Sequence, residues 1–217
     1  MSNEPMNAYK DYLATGMQQM QSAFESLSKR DISAAANMIL EAQKKGNRLH
    51  VSGIGKPAYV AEYAAALLSS TGTPAYFLHG TEAVHGSCGQ LVPGDVVIFI
   101  SNSGETMEMR ASVTAIKKNG CRLIGIGGNS GSWLARQSEC FIFAGVEEEG
   151  GPLNRAPRLS ILYETVVLQA LSVYLQQEHD ITPAQYVMWH PGGKLGELRE
   201  DELPAGGAGA TPQKQGG

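Results

Sequence analysis

Two short apolar runs near the middle of the chain most constrain its fold. The run VVIFI occupies residues 96–100, and RLIGI occupies residues 122–126. Almost every residue in these runs is apolar, rather than every second one, which is typical of parallel strands that are covered on both faces. Segments with helical spacing of apolar residues lie between the runs. The alternation of strand, loop and helix predicts a doubly wound α/β fold.

The same reasoning places the other elements along the chain. Residues 48–55, RLHVSGIG, read as a short strand that enters a glycine loop, with Asp31 and Pro57 expected at the starts of the helices on either side. Residues 1–200 are expected to form one domain, and the Gly/Pro/Ala-rich residues 201–217 a disordered tail. Further strands are predicted at 75–78 and 140–143, and helices at 7–28, 31–45, 57–72, 106–118, 131–136, 159–178 and 183–188.

Composition excludes several classes of protein. The 217 residues carry a net charge of -4, which argues against a protein that coats nucleic acid. The amino terminus lacks the pattern of a secretory signal, and the apolar stretches look too short to span a bilayer, so we expect a cytoplasmic protein without membrane contact. An odd number of widely spaced cysteines disfavours both a disulfide framework and a zinc site. These cysteines are Cys88, Cys121 and Cys140.

The loop SNSGET follows the first apolar run directly, at residues 101–106. Hydroxyls that lie beside the free N–H groups of a helix's first turn can surround a phosphate, and the helix dipole favours its charge. This interpretation makes Ser101, Ser103 and Thr106 phosphate donors. The alternative is that Ser103 or Thr106 only caps the following helix, with Glu105 in its first turn.

A second loop, GIGKPA at residues 53–58, also joins a strand to a helix. It fits the tolerated dinucleotide-binding pattern, but the acid expected after the next strand is not evident, and Pro57 breaks the Walker pattern. We therefore predict no nucleotide cofactor. Gly53 and Gly55 would let the backbone approach a small ligand to which Lys56 supplies positive charge. The alternative is a tight turn with a solvated lysine.

Three histidines lie in polar loops. His79 and His85 belong to HGTEAVHGSCG, and His190 belongs to MWHPGGKLG. A single histidine is more often a structural group than a catalyst. His190 differs because the Pro-Gly-Gly that follows it fixes a sharp loop, and an imidazole suits proton transfer near neutral pH.

Taken in order, these motifs resemble the sugar isomerase (SIS) domain family, and within it the arabinose-5-phosphate isomerases. The resemblance extends from about residue 7 to residue 198. It implies a three-layer α-β-α sandwich with a five-stranded parallel sheet, a sugar phosphate at the carboxyl ends of the strands, and a homotetramer with shared active sites. The matching segments are GIGK at 53–56, SSTGTPAYFLHGTEAVHG at 69–86, VVIFISNSGET at 96–106, PLNRAP at 152–157 and HPGGKLG at 190–196.

The resemblance also implies roles for individual residues. An aldose-ketose isomerase opens the sugar ring, moves a proton between two carbons and stabilises an enediolate, without a metal or another cofactor. Glu105 would be the base, Lys56 would stabilise the enediolate or bind phosphate, and His85 and His190 would share ring opening and proton transfer. The residues expected to bind the substrate and its phosphate are Ser101, Asn102, Ser103, Thr106, Gly53 and Gly55.

Departures from the family pattern leave the substrate open. The family usually follows its lysine with Ser-Gly, where this chain has Pro57-Ala58, and Arg158 begins a segment that is usually rich in Thr and Ser. Arabinose 5-phosphate and ribulose 5-phosphate are the first pair to expect. The alternatives are another phosphosugar, such as a hexulose or heptulose phosphate, and a non-catalytic sugar-phosphate sensor. Many members append two CBS modules after HPGG, and we expect that regulation to be absent here.

Overall fold

The apolar runs form the centre of a parallel sheet in the computed structural model, which describes residues 4–203. Every residue of the first and third strands is buried, and so is every residue of the fourth except Arg122. This burial on both faces explains why the runs do not alternate apolar and polar residues. The strands are β1 Leu49–Gly53, β2 Ala75–His79, β3 Val96–Ile100, β4 Arg122–Gly127 and β5 Cys140–Phe143.

The strand order is β2-β1-β3-β4-β5, and all four pairings are parallel. Leu49 of β1 pairs with Ala75 of β2 on one side and with Val96 of β3 on the other. The chain therefore reverses its direction of winding between β1 and β3. In open α/β sheets a crevice forms at such a switch point, outside the carboxyl ends of the strands.

Helices cover both faces of the sheet. One face packs against four helices around a core that includes Val51, Ile98 and Leu168, and the other packs against two helices around Phe99 and Met109. The predicted three-layer α/β sandwich is thus confirmed. The helices are α1 Glu4–Ser26, α2 Lys29–Lys44, α3 Lys56–Ser70, α4 Met107–Lys118, α5 Trp133–Gln137, α6 Leu159–Glu178 and α7 Pro183–Trp189.

Two residues predicted at helix starts, Asp31 and Pro57, lie slightly inside their helices. Ser28, rather than Asp31, caps α2, because its hydroxyl accepts a hydrogen bond from the Asp31 N–H. Helix α3 begins at Lys56, so Pro57 is its second residue, where a missing N–H is still harmless.

The apolar stretches of the sequence look too short to span a bilayer, but helix α6 is long and apolar enough to do so. This judgement rests on length and hydropathy alone, and half of the apolar 18-residue stretch of α6 is buried inside the protein. Tyr163, Val167 and Leu171 are almost fully buried in the core beneath the sheet. Such packing is typical of a core helix in a globular domain.

The chain divides into two compact units, one ending at His179 and one beginning at Asp180. The second unit contains α7 and two short 3-10 turns, Lys194–Gly196 and Glu200–Glu202. The expected single domain of residues 1–200 stays a prediction. Most of the expected tail, residues 204–217, lies outside the described residues.

A buried carboxylate lies at the amino ends of the strands, just before β3. Asp95 is fully buried and accepts hydrogen bonds from the N–H groups of Arg48 at 2.8 Å and Val92 at 3.0 Å. Its Oδ2 also lies 3.2 Å from His50 Nε2 and 3.6 Å from an Arg48 guanidinium nitrogen. Burial acts to raise the pKa of Asp95, but these partners together hold it below its usual value. This Asp95 cluster ties the start of β1 to the loop before β3.

Candidate functional site

A cavity of about 460 Å³ lies at the switch point between β1 and β3. Its volume is within the range of small-molecule sites. One wall comes from the start of α3, a second from the loop after β3 and the start of α4, and a third from the start of α6. The polar residues of these walls are Lys56, Ser101, Asn102, Ser103, Thr106, Glu108, Ser160 and Glu164.

The SNSGET loop turns back on itself through its own hydroxyls. Ser101 Oγ accepts a hydrogen bond from the Gly104 N–H at 3.2 Å, and Ser103 Oγ accepts one from Glu105 at 3.4 Å. Gly104 has φ +64°, and a Cβ there would collide with Ser132. Because both serine oxygens act as acceptors, their protons stay available to a ligand.

Within the described residues, neither Ser103 nor Thr106 caps α4 with a side-chain hydrogen bond. Thr106 is the N-cap of α4, yet within residues 4–203 no side chain makes a capping hydrogen bond to that helix. Thr106 instead lines the cavity together with Ser101 and Ser103. Hydroxyl donors and free N–H groups of a helix start therefore face the same space, as in an anion-binding site.

Lys56 lines the cavity from the first residue of α3. Gly53 and Gly55 do not line it with Lys56. They border a neighbouring cavity of about 390 Å³, together with His79. Gly55 has φ +69°, and a Cβ on Gly53 would come within 2.8 Å of the Pro57 carbonyl group. Both glycines thus shape the turn that presents Lys56.

Glu105 does not line the cavity in this structure. Its carboxylate accepts a hydrogen bond from the Trp133 N–H at 2.8 Å and another from the Arg110 guanidinium. The Trp133 N–H, followed by Arg110, lowers the pKa of Glu105. Glu105 therefore ties the SNSGET loop to the first residue of α5, while Glu108, the second residue of α4, lines the cavity.

The two predicted catalytic histidines lie in different units. His85 is exposed at the end of the 3-10 turn Glu82–His85 and is not part of the cavity lining. His190 follows α7 in the second unit, where its Nδ1 lies 2.7 Å from the Tyr186 carbonyl oxygen and its ring stacks on Tyr186 at 4.0 Å. Their shared role in proton transfer stays a prediction.

Sequence reasoning missed three polar residues of the cavity: Glu108, Ser160 and Glu164. Glu164 had a readable signal, since it is the only acid in the first nineteen residues of the otherwise apolar α6. It is fully buried, and no described residue donates a hydrogen bond to either carboxyl oxygen. Burial, and secondarily the charge of Glu149, raises the pKa of Glu164 to about 8. The group is therefore largely protonated at neutral pH.

Glu149 organises the segment that leads into α6. Its Oε2 accepts hydrogen bonds from the N–H groups of Arg158 at 2.7 Å and Ser160 at 3.2 Å. It thus caps α6 from outside the helix. The Arg158 side chain donates to the Gly150 carbonyl oxygen and does not line the cavity.

The chain is similar to one protein family and to several named relatives. The SIS domain family model matches residues 43–174. The arabinose 5-phosphate isomerase KdsD of Pseudomonas aeruginosa is 41% identical over 149 residues, covering 69% of this chain and 46% of the relative. KdsD of Escherichia coli is 35% identical over 200 residues, covering 90% of this chain and 61% of the relative. The chain thus spans about half to three-fifths of these relatives' length.

Two solved structures share the fold. An Escherichia coli protein in complex with arabinose 5-phosphate superposes with a TM-score of 0.77 at 34% identity, covering 88% of this chain and all of that one. A protein of Listeria monocytogenes superposes with a TM-score of 0.80 at 25% identity, with the same coverage.

Proposed function

Because this chain belongs to the SIS domain family, we propose that it is an aldose-ketose isomerase of phosphorylated sugars. Arabinose 5-phosphate and ribulose 5-phosphate are the proposed pair, since they fit the names of the relatives and the ligand of the Escherichia coli structure. The observation that carries the proposal is the cavity at the switch point, where the SNSGET hydroxyls and Lys56 line the same space.

In this proposal the phosphate occupies the SNSGET loop. Ser101, Ser103 and Thr106 donate hydrogen bonds to it, and the start of α4 adds its N–H groups and dipole. Asn102 also lines the cavity and is the remaining polar contact of the loop. Holding one end of the substrate fixes the carbon chain against the other walls, which reduces the entropic cost of the chemical step.

The reaction needs a base that reaches the carbon beside the carbonyl group. The base takes the proton from that carbon, and the carbonyl oxygen gains the negative charge of the enediolate. The proton of the adjacent hydroxyl passes to that oxygen, and a proton is returned to the former carbonyl carbon, which leaves the carbonyl group on the neighbouring carbon. Glu108 lines the cavity and is our proposed base, whereas Glu105 is held by Trp133 and Arg110 and acts as a positioning residue. Lys56 would stabilise the enediolate oxygen.

The isomerase proposal is tested by proton exchange. The protein is incubated with arabinose 5-phosphate in heavy water, and deuterium at the carbon beside the carbonyl is followed by NMR. Incorporation is expected in the wild type and is expected to fall at least about a hundredfold in Glu108→Gln. Glu105→Gln is the matched control, with a smaller loss. Binding without exchange would support a sugar-phosphate sensor instead.

We also propose a cytoplasmic homotetramer with shared active sites. Sharing would let a second copy supply His85 to the cavity, because within the described part of the first unit His85 does not line it. Large exposed apolar side chains on the helices support assembly, and the three free cysteines fit a reducing compartment. Sedimentation equilibrium should give four times the chain mass, and a monomer would contradict the assembly. The exposed side chains include Met17, Phe24, Tyr59, Tyr63 and Val173.

A further inference from the structure

Two buried polar side chains at the start of α6 line the cavity together with the SNSGET loop. Ser160 and Glu164 are both fully buried, and both line the cavity. Within residues 4–203 neither Ser160 Oγ nor either Glu164 oxygen has a hydrogen-bond partner. The two residues are four apart on one helix, so they lie on the same face.

The fold does not explain this pair. Burying a carboxyl group without hydrogen-bond partners costs free energy, and buried polar groups in native proteins are usually hydrogen-bonded. The hydroxyls of Ser52 and Thr73 are also buried without a described partner, but they lie away from the cavity and are never charged. Glu164 combines a titratable group, complete burial and a position on a ligand-sized space.

We propose that Glu164 and Ser160 form a second subsite, which hydrogen-bonds the uncharged hydroxyl or carbonyl oxygens of the ligand while the SNSGET loop holds its phosphate. This inference rests on the proposed function and deepens it. It assigns Glu164 as a specificity-determining residue for the sugar end of the substrate.

The protonation state of Glu164 matches an uncharged ligand group. Its pKa of about 8 leaves a neutral carboxyl at pH 7, which can donate one hydrogen bond and accept others. The charged groups around it are Lys56 and Glu108 on the cavity walls and Glu149 beside the start of α6. Lys56 would repel an amino group on the ligand, so a hydroxyl or carbonyl fits better than an amine.

The test separates binding of the phosphate from binding of the sugar. Glu164→Leu removes the hydrogen bonds but keeps a side chain of similar size, and Glu164→Gln keeps a donor and an acceptor. Glu178→Gln, at the exposed end of the same helix, is the matched control. Calorimetry at pH 7 gives the Kd for inorganic phosphate, arabinose 5-phosphate and glucosamine 6-phosphate, and circular dichroism confirms the fold of each variant.

We expect Glu164→Leu to raise the Kd for arabinose 5-phosphate about 10- to 100-fold. The Kd for inorganic phosphate should stay within about twofold of the wild-type value. Glu164→Gln should bind within a few-fold of the wild type, and Glu178→Gln should not differ from it. Ser160→Ala should weaken the binding of arabinose 5-phosphate less than Glu164→Leu does.

Three results would overturn the inference: an unchanged Kd for arabinose 5-phosphate in Glu164→Leu, an equal loss for both ligands, or tighter binding of glucosamine 6-phosphate that depends on Glu164. Failure of the proposed function looks different. In that case the wild type exchanges no proton in any sugar phosphate, although sugar binding still depends on Glu164.

Discussion

Asp95 and Glu164 are two buried carboxyl groups at opposite ends of the same sheet. Asp95, at the amino ends of the strands, accepts two backbone hydrogen bonds and lies beside Arg48 and His50, and its pKa is below the usual value. Glu164, at the cavity, has no described partner, and its pKa is raised to about 8. Equal burial thus has opposite electrostatic consequences.

In our proposal, this difference separates an end of the sheet that stabilises the fold from an end that binds a ligand. A satisfied buried carboxylate fixes its neighbours, whereas an unsatisfied one costs free energy until something binds. The chain therefore gives up stability at the carboxyl ends of its strands, where open α/β sheets bind ligands. Each of the following substitutions changes a residue at one of these two ends of the sheet.

The largest effect is expected at the amino end of the sheet. Asp95→Ala leaves the N–H groups of Arg48 and Val92 without their acceptor in a buried place. The free energy of unfolding in urea should fall by about 3 kcal/mol, with phosphate affinity unchanged in the folded protein. A loss below about 1 kcal/mol would show that the cluster does not stabilise the fold.

The opposite sign is expected for Glu164→Leu. Between the unfolded pKa of 4.5 and the folded pKa of about 8, the native state holds a proton that the unfolded chain has released. The stability of the wild type should therefore fall as pH rises through this window, by up to about 1.4 kcal/mol per unit, and level off above it.

Glu164→Leu removes that titration. The variant should be more stable than the wild type by about 1–3 kcal/mol at pH 8 and less stable than the wild type at pH 5, because only the wild type loses about 3.5 kcal/mol between these two pH values. Urea unfolding at both pH values measures the two differences. Parallel pH profiles for the two proteins would mean that Glu164 has an ordinary pKa.

A third change tests the phosphate wall without touching the core. Thr106→Val removes a hydroxyl that makes no capping hydrogen bond within the described residues, so the stability of the protein should hardly change. Phosphate affinity should fall about tenfold. Thr114→Val, which loses only a bond to the Arg110 carbonyl oxygen, is the matched control. Equal affinities in the two variants would remove Thr106 from the site.

The smallest effect is expected at Glu149. Glu149→Gln weakens the cap on α6 and should reduce stability by about 1 kcal/mol, measured by urea unfolding. It also removes the charge that helps to raise the pKa of Glu164, so that pKa should move down. An unchanged pKa would leave burial as its sole cause.

Much of this architecture could be predicted from residue patterns. The run at residues 96–100 predicted a buried parallel strand, and the hydroxyls after it predicted a loop that the structure places on the cavity. Such features depend on local spacing and on the parallel topology. Glu105 shows the limit, because the turn at Gly104 and the hydrogen bond from the Trp133 N–H direct its carboxylate to the start of α5.

Glu164 was missed for a different physical reason. A single acid in an apolar helix can face solvent or the interior, and only the packing around α6 decides between them. Likewise, Ser28 and Asp31 are both good capping residues, and the hydrogen bond between them shows which one caps α2. Tertiary contacts decide which way the Glu164 side chain faces and which residue caps α2. The spacing of residues along the chain does not record those contacts.

The most direct test of the contrast is an NMR titration of the glutamate side-chain carboxyls, labelled with ¹³C, in which Glu164→Gln assigns the Glu164 resonance. We expect this resonance to titrate near pH 8 and to shift at pH 7 when arabinose 5-phosphate is added, but not with inorganic phosphate. A resonance that titrates near 4.5, or that ignores the sugar phosphate, would contradict a buried carboxyl kept unsatisfied for a ligand.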